Sequence, residues 1–293
     1  MLNAMIEPLR RESFHTTGAY FEKRLGTALG WVSDKASHAG TMPVWNERND
    51  VCLVFVGENF AKPASKAGPA IAGHKPNAND AAQLLRLYEE KGIKFLDRIN
   101  GWFSGVLVDL RQSKVILFND RYGLRRIYYH ESDDTFYFAS EAKSLLKILP
   151  GLRSLDSRGL GELISLGCVL QNRSLFSGIS LLPGASAWSF SPGQPTKKVP
   201  YFQRSAWENQ APLDPDGFYD HLKETFTGIL PEYLRNGQPV GMSLTGGVDG
   251  RMIMAWAASQ PGTLPCYTFG GTYRECADVR LARKVANLCG QRH

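Results

Sequence analysis

No apolar run in the 293 residues approaches the roughly 18–20 that a membrane-crossing helix needs. The N-terminal stretch MLNAMIEPLRRESFH is charged early and has no apolar core of the kind a secretory signal requires, so a cytoplasmic setting is expected. Cysteines are few and odd in number: Cys52, Cys168, Cys266, Cys276 and Cys289. None stands in C-x-x-C spacing, and the histidines do not cluster with them, so neither a disulfide framework nor a structural zinc site is expected. Five reduced, mostly buried thiols are expected instead, as suits a reducing compartment. No basic block with interleaved aromatics occurs, and the net charge of +6 is spread along the chain, which argues against a nucleic-acid partner. At 43% hydrophobic and 21% charged residues, the composition excludes a disordered, collagen-like or coiled-coil chain.

The length suits two domains or one large one. Met1, Met5 and Leu9 stand at helical spacing, and the rest of the first fifty residues gives little periodic signal. Residues 51–56, VCLVFV, read as a strand buried on both faces. Residues 79–91 read as a helix capped by Asn79 or Asp80, with Leu84, Leu85, Leu87 and Tyr88 along one face. Four strands are expected at 102–110, 114–119, 127–130 and 135–139, joined by polar turns and so antiparallel. Helices at 141–149 and 156–167 follow, then short strands and turns across 181–201 and a Pro-rich acidic linker at 211–216. Beyond it the pattern changes: helix 217–234, strand 239–244, helix 248–259, strand 264–269, helix 277–288. Strands alternating with helices imply a parallel sheet.

Neither G-x-x-x-x-G-K-[ST] nor G-x-G-x-x-G is present. The segment with most chemistry is residues 243–251, SLTGGVDGR, between the strand at 239–244 and the helix at 248–259. A helix N-terminus offers unpaired N–H groups and a partial positive charge, which together attract anions. Gly246 and Gly247 lack a Cβ that would keep phosphate oxygens from the backbone, and the Thr245 hydroxyl can donate. Asp249 would repel a phosphate directly, so beside one it fits as a magnesium ligand. The same glycine pair also fits a plain tight turn between strand and helix.

Four ordered segments carry a resemblance. TGGVDGR at 245–251 resembles the S-G-G-x-D-S pyrophosphate loop of the ATP-pyrophosphatase fold. FLDRINGWF at 95–103 resembles the F-L-x-x-L-x-G-M-F stretch of the glutamine-hydrolysing asparagine synthetases. NDRYGLRRIYY at 119–129 is similar to their R-D-x-x-G-x-x-P-L-Y-Y, and FASEAKSLL at 138–146 to their F-A-S-E-x-K-A-L-L. The resemblance implies an α+β domain at 1–205, an Ntn-hydrolase-like αββα sandwich of antiparallel sheets. A linker at 206–216 and an incomplete α/β nucleotide-binding domain with a parallel sheet at 217–293 follow. In active members a cysteine at the mature N-terminus attacks the glutamine amide and frees ammonia. The second domain uses ATP and Mg2+ to activate aspartate as an acyl-adenylate, which ammonia attacks. Leu244 and Gly270 match positions bordering the adenine nucleotide. Thr245, Gly246, Gly247 and Asp249 match the pyrophosphate loop, with Asp249 its magnesium ligand. Gly57, Glu58 and Asp80 match glutamine contacts, Asp80 serving equally well as a helix cap. The implied partners are small molecules (aspartate, glutamine or ammonia, ATP), with a homodimer open and no nucleic acid or membrane involved.

The sequence also departs from the family. Residue 2 is Leu, and no cysteine precedes Cys52. The family's N-G-E-I-Y-N begins here with Val56, which has no donor to offer an oxyanion. MLNAMIEPLRR resembles the family's first helix, which follows the strand bearing the cysteine, so an upstream start stays open. Gly250 replaces a loop serine and loses a hydroxyl. The first domain is therefore expected to be a degenerate glutaminase. The second glycine-acidic motif and the phosphate-steadying lysine of the family are not found, so the chain is expected to be part of a longer protein and inactive alone. The leading expectation is an asparagine synthetase-like amide ligase. A related adenylating, amide-forming enzyme of natural-product or surface-polysaccharide biosynthesis and a non-catalytic scaffold are the alternatives.

Overall fold

The computed structural model describes residues 1–34, 42–61, 81–234, 239–257, 260–271 and 273–293. They form two compact units, the first reaching from Met1 to Asn209 and the second from Gln210 to His293. Among them, no helix is long and apolar enough to cross a membrane.

The first unit opens with helix α1 (Leu2–Ile6) and a hairpin, β1 (His15–Glu22) and β2 (Thr27–Asp34). Then come β3 (Val44–Trp45), β4 (Val51–Asn59), helix α2 (Ala81–Lys91), β5 (Gly101–Asp109) and β6 (Lys114–Asn119). Next are β7 (Tyr128–Glu131), β8 (Phe136–Ala139), α3 (Ala142–Ile148), α4 (Ser157–Leu166) and β9 (Ser180–Leu181). β10 (Ser186–Phe190), β11 (Lys197–Pro200) and the short α5 (Ser205–Glu208) complete it. A six-stranded sheet in the order β11-β10-β6-β5-β4-β3 is antiparallel throughout.

Side chains of a strand alternate between its faces, and both faces of this sheet are buried. Val51, Leu53 and Phe55 of β4 join Phe103, Phe118, Leu84, Leu85 and Phe95 in one core, against α2 and the 3-10 turn that follows it. Cys52 and Val54 join Val106, Val108, Leu117, Trp188, Leu29 and Trp31 in the other, against the β1–β2 hairpin. α1 lies beyond that hairpin, so close that a Cβ on Gly30 would sit 2.5 Å from Ile6. The result is the expected α+β sandwich, helix, sheet, sheet, helix.

Boundaries shift modestly from expectation. α4 has Asp156 as its N-cap, and Gly167, at φ +76°, as its left-handed stop. The helix read over 79–91 is seen from Ala81, and its proposed caps Asn79 and Asp80 lie outside the described residues. The five cysteines are all free, but only Cys52 and Cys266 are buried; Cys168 and Cys276 are exposed, correcting the expectation of mostly buried thiols.

In the second unit, α6 (Pro215–Leu234) begins inside the expected linker. Asp214 accepts from the Gly217 N–H at 2.7 Å and so caps it, and proline is tolerated in a first turn whose N–H groups have no helical acceptor. The connector is therefore residues 209–214, exposed throughout. β12 (Met242–Ser243) pairs in parallel with β13 (Cys266–Tyr267), and α7 (Val248–Trp256) and α8 (Ala277–Leu288) cover them. Leu244, Met254, Leu264, Cys266, Ala282 and Ala286 form the core. Brief subtilisin digestion is expected to cut within 209–214 and leave a resistant fragment ending there. First cleavage inside β4–β6 would overturn that boundary.

Candidate functional site

Two places carry the residues singled out in the sequence. The first is where β4 and β5 end together. Gly57 faces Phe103, and Glu58 faces Trp102, in the antiparallel register. Gly57 has φ +126°, and a Cβ on it would run into the Trp102 carbonyl oxygen. Gly101 has φ +152°, and a Cβ there would run into the Glu58 carbonyl oxygen. Two glycines, one on each strand, thus let the backbones approach where side chains would forbid it. Just beyond, the Asn59 Oδ1 accepts from the N–H groups of Ala61 (3.0 Å) and Asn100 (3.1 Å), which fixes the end of the strand. Gly57 and Glu58 are therefore held together, whereas Asp80 lies outside the described residues. Val56, 39% exposed, has only an aliphatic side chain to present. Cys52 on the same strand is fully buried, and burial pushes its thiol up to about 12, the Tyr20 hydroxyl offsetting only part. A thiol so held is not a nucleophile near neutral pH.

The motif at 119–129 gave Asp120 no role, and the structure supplies one. Its side chain is fully buried and its carboxylate accepts four backbone N–H groups: Tyr122 (3.0 Å), Leu124 (3.0 Å), Arg125 (2.9 Å) and Phe103 (3.3 Å). Gly123, at φ +65°, closes the turn. An aspartate three residues before a glycine was the available signal, since Asp side chains bond backbone a few residues on. The loop it organises borders a cavity of about 550 Å³, whose wall includes Tyr122, Leu124, Leu163, Cys168, Asn172 and Phe176. Gly57 and Glu58 do not line it.

The second place is the loop between β12 and α7. Leu244 is fully buried, its N–H donating to the Tyr267 carbonyl at 2.9 Å, so the loop springs from a fixed strand end. The Thr245 Oγ1 accepts the Gly247 N–H at 3.2 Å. The Asp278 Oδ1, from the first turn of α8, accepts the Gly246 N–H at 3.1 Å. The two glycines therefore differ. A Cβ on Gly246 would sit 2.8 Å from Leu281 and 2.9 Å from Asp278, so this glycine lets α8 pack against the loop. A Cβ on Gly247 would meet only the Thr245 Oγ1, at 3.3 Å, so this one faces open space. Packing against α8 is thus a second reason for glycine at 246, beside the backbone access that the sequence suggested for both positions. Asp249 stands exposed in the first turn of α7, and the Arg251 Nε donates to the Gly247 carbonyl at 3.3 Å. Gly270 follows β13, with the Val279 side chain 2.7 Å from where its Cβ would be. Leu244, Thr245, Gly246, Gly247 and Asp249 thus come together at the carboxyl end of a parallel strand, the position at which open α/β sheets take ligands. An open Gly247 beside the first turn of a nine-residue helix fits a polyphosphate, and the exposed Asp249 fits a hard cation that would accompany it.

Residues 2–202 match the family model described as Glutamine amidotransferase domain. Among curated proteins, the asparagine synthetase [glutamine-hydrolyzing] 2 of Bacillus subtilis is 26% identical over 256 residues, covering 82% of this chain and 34% of that protein. The asparagine synthetase B [glutamine-hydrolyzing] of Escherichia coli is 23% identical over 269 residues, covering 87% of this chain and 43% of that one. The asparagine synthetase [glutamine-hydrolyzing] 2 of Oryza sativa is 27% identical over 266 residues, covering 87% and 39%. The chain spans well under half the length of these relatives.

Proposed function

Because the chain belongs to the glutamine amidotransferase domain family, we propose that it is the front part, with a degenerate glutaminase unit, of an ATP-dependent carbon–nitrogen ligase of the asparagine synthetase type, acting in the cytoplasm. The observation that carries the nucleotide half of this reading is the loop at 245–249, with Gly247 facing open space at the start of α7. The similarity to the named synthetases runs across most of the chain, well past the family match at 2–202, which supports the second unit being of the same type.

In this reading Thr245, Gly247 and the first turn of α7 bind the phosphates of ATP, Asp249 holds their Mg2+, and Leu244 and Gly270 border the adenine. A substrate carboxylate, itself a poor acyl donor, would attack the α-phosphorus of ATP and expel pyrophosphate to form an acyl-adenylate, and a nitrogen nucleophile would then expel AMP to form the amide. Aspartate and ammonia are the substrates the relatives' names suggest. The first unit contributes a glutaminase frame without its chemistry. In this reading Gly57 and Glu58 stand where the glutamine contact would be, but the Val56 side chain offers no hydrogen bond to an oxyanion and Cys52 is sealed in the core. That same observation favours a second reading, in which a different acid or amine replaces aspartate or ammonia in a related amide-forming enzyme. Aspartate dependence of amide formation by the whole protein separates the two.

The test of the front part is direct. The 293-residue chain is expected to release no glutamate from glutamine above a no-enzyme control, and to bind Mg·ATP by calorimetry. Glutamate release that a thiol reagent abolishes would refute the degenerate glutaminase. Absence of heat with Mg·ATP would refute the nucleotide site.

A further inference from the structure

The cavity of about 550 Å³ beside the Asp120 turn has no part in the nucleotide reading, and every residue of its wall belongs to the first unit. Two loops face it, each held by a carboxylate of its own. On one side Asp120 fixes the turn that carries Leu124 and Arg126. On the other, the loop after α4 folds back on the helix. The Glu162 carboxylate accepts the Leu170 N–H at 2.9 Å and pairs with Arg173, and the Ser174 hydroxyl donates to the Ile179 carbonyl at 2.6 Å. The space is therefore built into the fold, and its size is that of a small-molecule site. α4 adds an apolar floor. Its apolar positions are Leu160, Leu163, Ile164 and Leu166, yet Gly159 is the only buried residue of the helix. The stripe that a surface helix ordinarily turns to a core is thus unmatched. Leu163 brings it to the cavity, where Leu175 and Phe176 join it. The charge is lopsided. No aspartate or glutamate lines the cavity. Arg173 in its wall, with Arg158 nearby, is balanced by Glu162 and Asp156. Arg126, exposed at the rim, has no ion pair among the described residues.

We propose that this cavity binds an amphiphilic anion, an acyl carboxylate whose head pairs with Arg126 at the rim and whose alkyl chain lies against Leu163, Leu175 and Phe176. An apolar space alone would take any hydrocarbon. An unpaired guanidinium at its rim favours a chain that ends in a negative charge, through a charge-assisted hydrogen bond, and disfavours one that ends in a positive charge. Because the site lies wholly in the first unit, it stands whether or not the second unit binds a nucleotide. It gives the degenerate glutaminase frame a ligand of its own, away from Gly57 and Glu58, which do not line the cavity.

Cys168 supplies the readout. It is exposed and lies in the cavity wall, while the exposed Cys276 belongs to the second unit and is the control. Alkylation by iodoacetamide is followed at each cysteine by mass spectrometry, with decanoate, decanol, decyltrimethylammonium or acetate present. With decanoate at about ten times its Kd, alkylation of Cys168 is expected to slow about tenfold, because only the empty cavity reacts, and Cys276 is expected to react as before. Decanol should protect more weakly, and acetate and the cation not at all. Arg126→Gln is expected to weaken decanoate at least about tenfold and leave decanol unchanged, since only the charged head loses a partner. Leu163→Asn should weaken both, and thermal unfolding checks that each variant folds. Absence of protection at Cys168, equal protection by decanol, or undiminished decanoate binding by Arg126→Gln would overturn the proposal. Equal slowing of Cys276 would do the same, by showing a general detergent effect. So would binding to phosphatidylglycerol vesicles with no protection by soluble decanoate, which would make this face a membrane contact.

Discussion

Asp120→Ala is expected to destabilise the first unit by about 4 kcal/mol, because it strands several buried donors at once, each worth roughly 1–3 kcal/mol when left unpaired. The carboxylate is fully buried and collects the N–H groups of Tyr122, Leu124, Arg125 and Phe103. Three of those belong to the turn after β6 and the fourth to β5, so one side chain ties the turn to the sheet. The Asp120 backbone carbonyl adds to this by accepting from Ala185, next to β10. Asparagine does not rescue the site. One carboxylate oxygen serves Tyr122 and Leu124 and the other Arg125 and Phe103, so an amide NH₂ must face two donors whichever way it turns. Asp120→Asn is therefore expected to cost at least about 2 kcal/mol. Urea unfolding followed by near-ultraviolet circular dichroism, which reports the aromatic core of this unit, measures both. A change below about 1 kcal/mol in the alanine variant would show that water replaces the carboxylate at little cost.

Much of the sandwich was legible from short, near-continuous apolar runs bounded by polar turns. β4, β5 and β6 are apolar on both faces, and their sequences say so: Val51–Phe55 divide by turns between the two cores. The β1–β2 hairpin was not legible, for a physical reason. Gly18 lies under the Trp31 indole and Gly30 under Ile6, so glycine stands where the alternation would show a side chain. Its outer positions are half exposed, and a Thr16–Ser33 hydroxyl pair at 2.9 Å holds one end. In the second unit, six-residue strands were expected and two-residue pairings found, although the ladder runs further as single bonds. The Met242 N–H donates to the Pro265 carbonyl and the Leu244 N–H to that of Tyr267, while outside that pair of strands the Cys266 N–H donates to the Arg292 carbonyl. The glycine loop was located correctly by its motif. Which glycine faces α8 and which faces open space depends on Asp278 and Leu281, over thirty residues away in sequence, and no local pattern carries that.

That difference between the two glycines makes Gly247→Val the sharpest test of the nucleotide site. Gly247 has φ −66° and ψ 155°, ordinary extended backbone that valine adopts freely. Its Cβ would meet only the Thr245 hydroxyl, at 3.3 Å, which can turn aside. The variant should therefore fold, losing at most about 1 kcal/mol through a poorer helix cap. Its branched methyl groups, however, would stand over the first turn of α7, between its N–H groups and any phosphate. Loss of two hydrogen bonds to a charged group, at roughly 1.5–3 kcal/mol each, predicts a fall in Mg·ATP affinity of at least about 100-fold. Gly246→Val cannot serve in its place. Its Cβ would press on Leu281 and Asp278, so lost binding there would only report a displaced α8. Asp249→Ala is the complementary variant. It should weaken binding in the presence of Mg2+ and leave metal-free tripolyphosphate binding as strong or stronger, since one negative charge is gone. Calorimetry on the three proteins, with thermal unfolding as the folding control, decides the matter. A folded Gly247→Val that binds Mg·ATP within about threefold of the unmodified chain would move the phosphates away from the first turn of α7, and the ligase reading of the second unit would lose the observation that carries it.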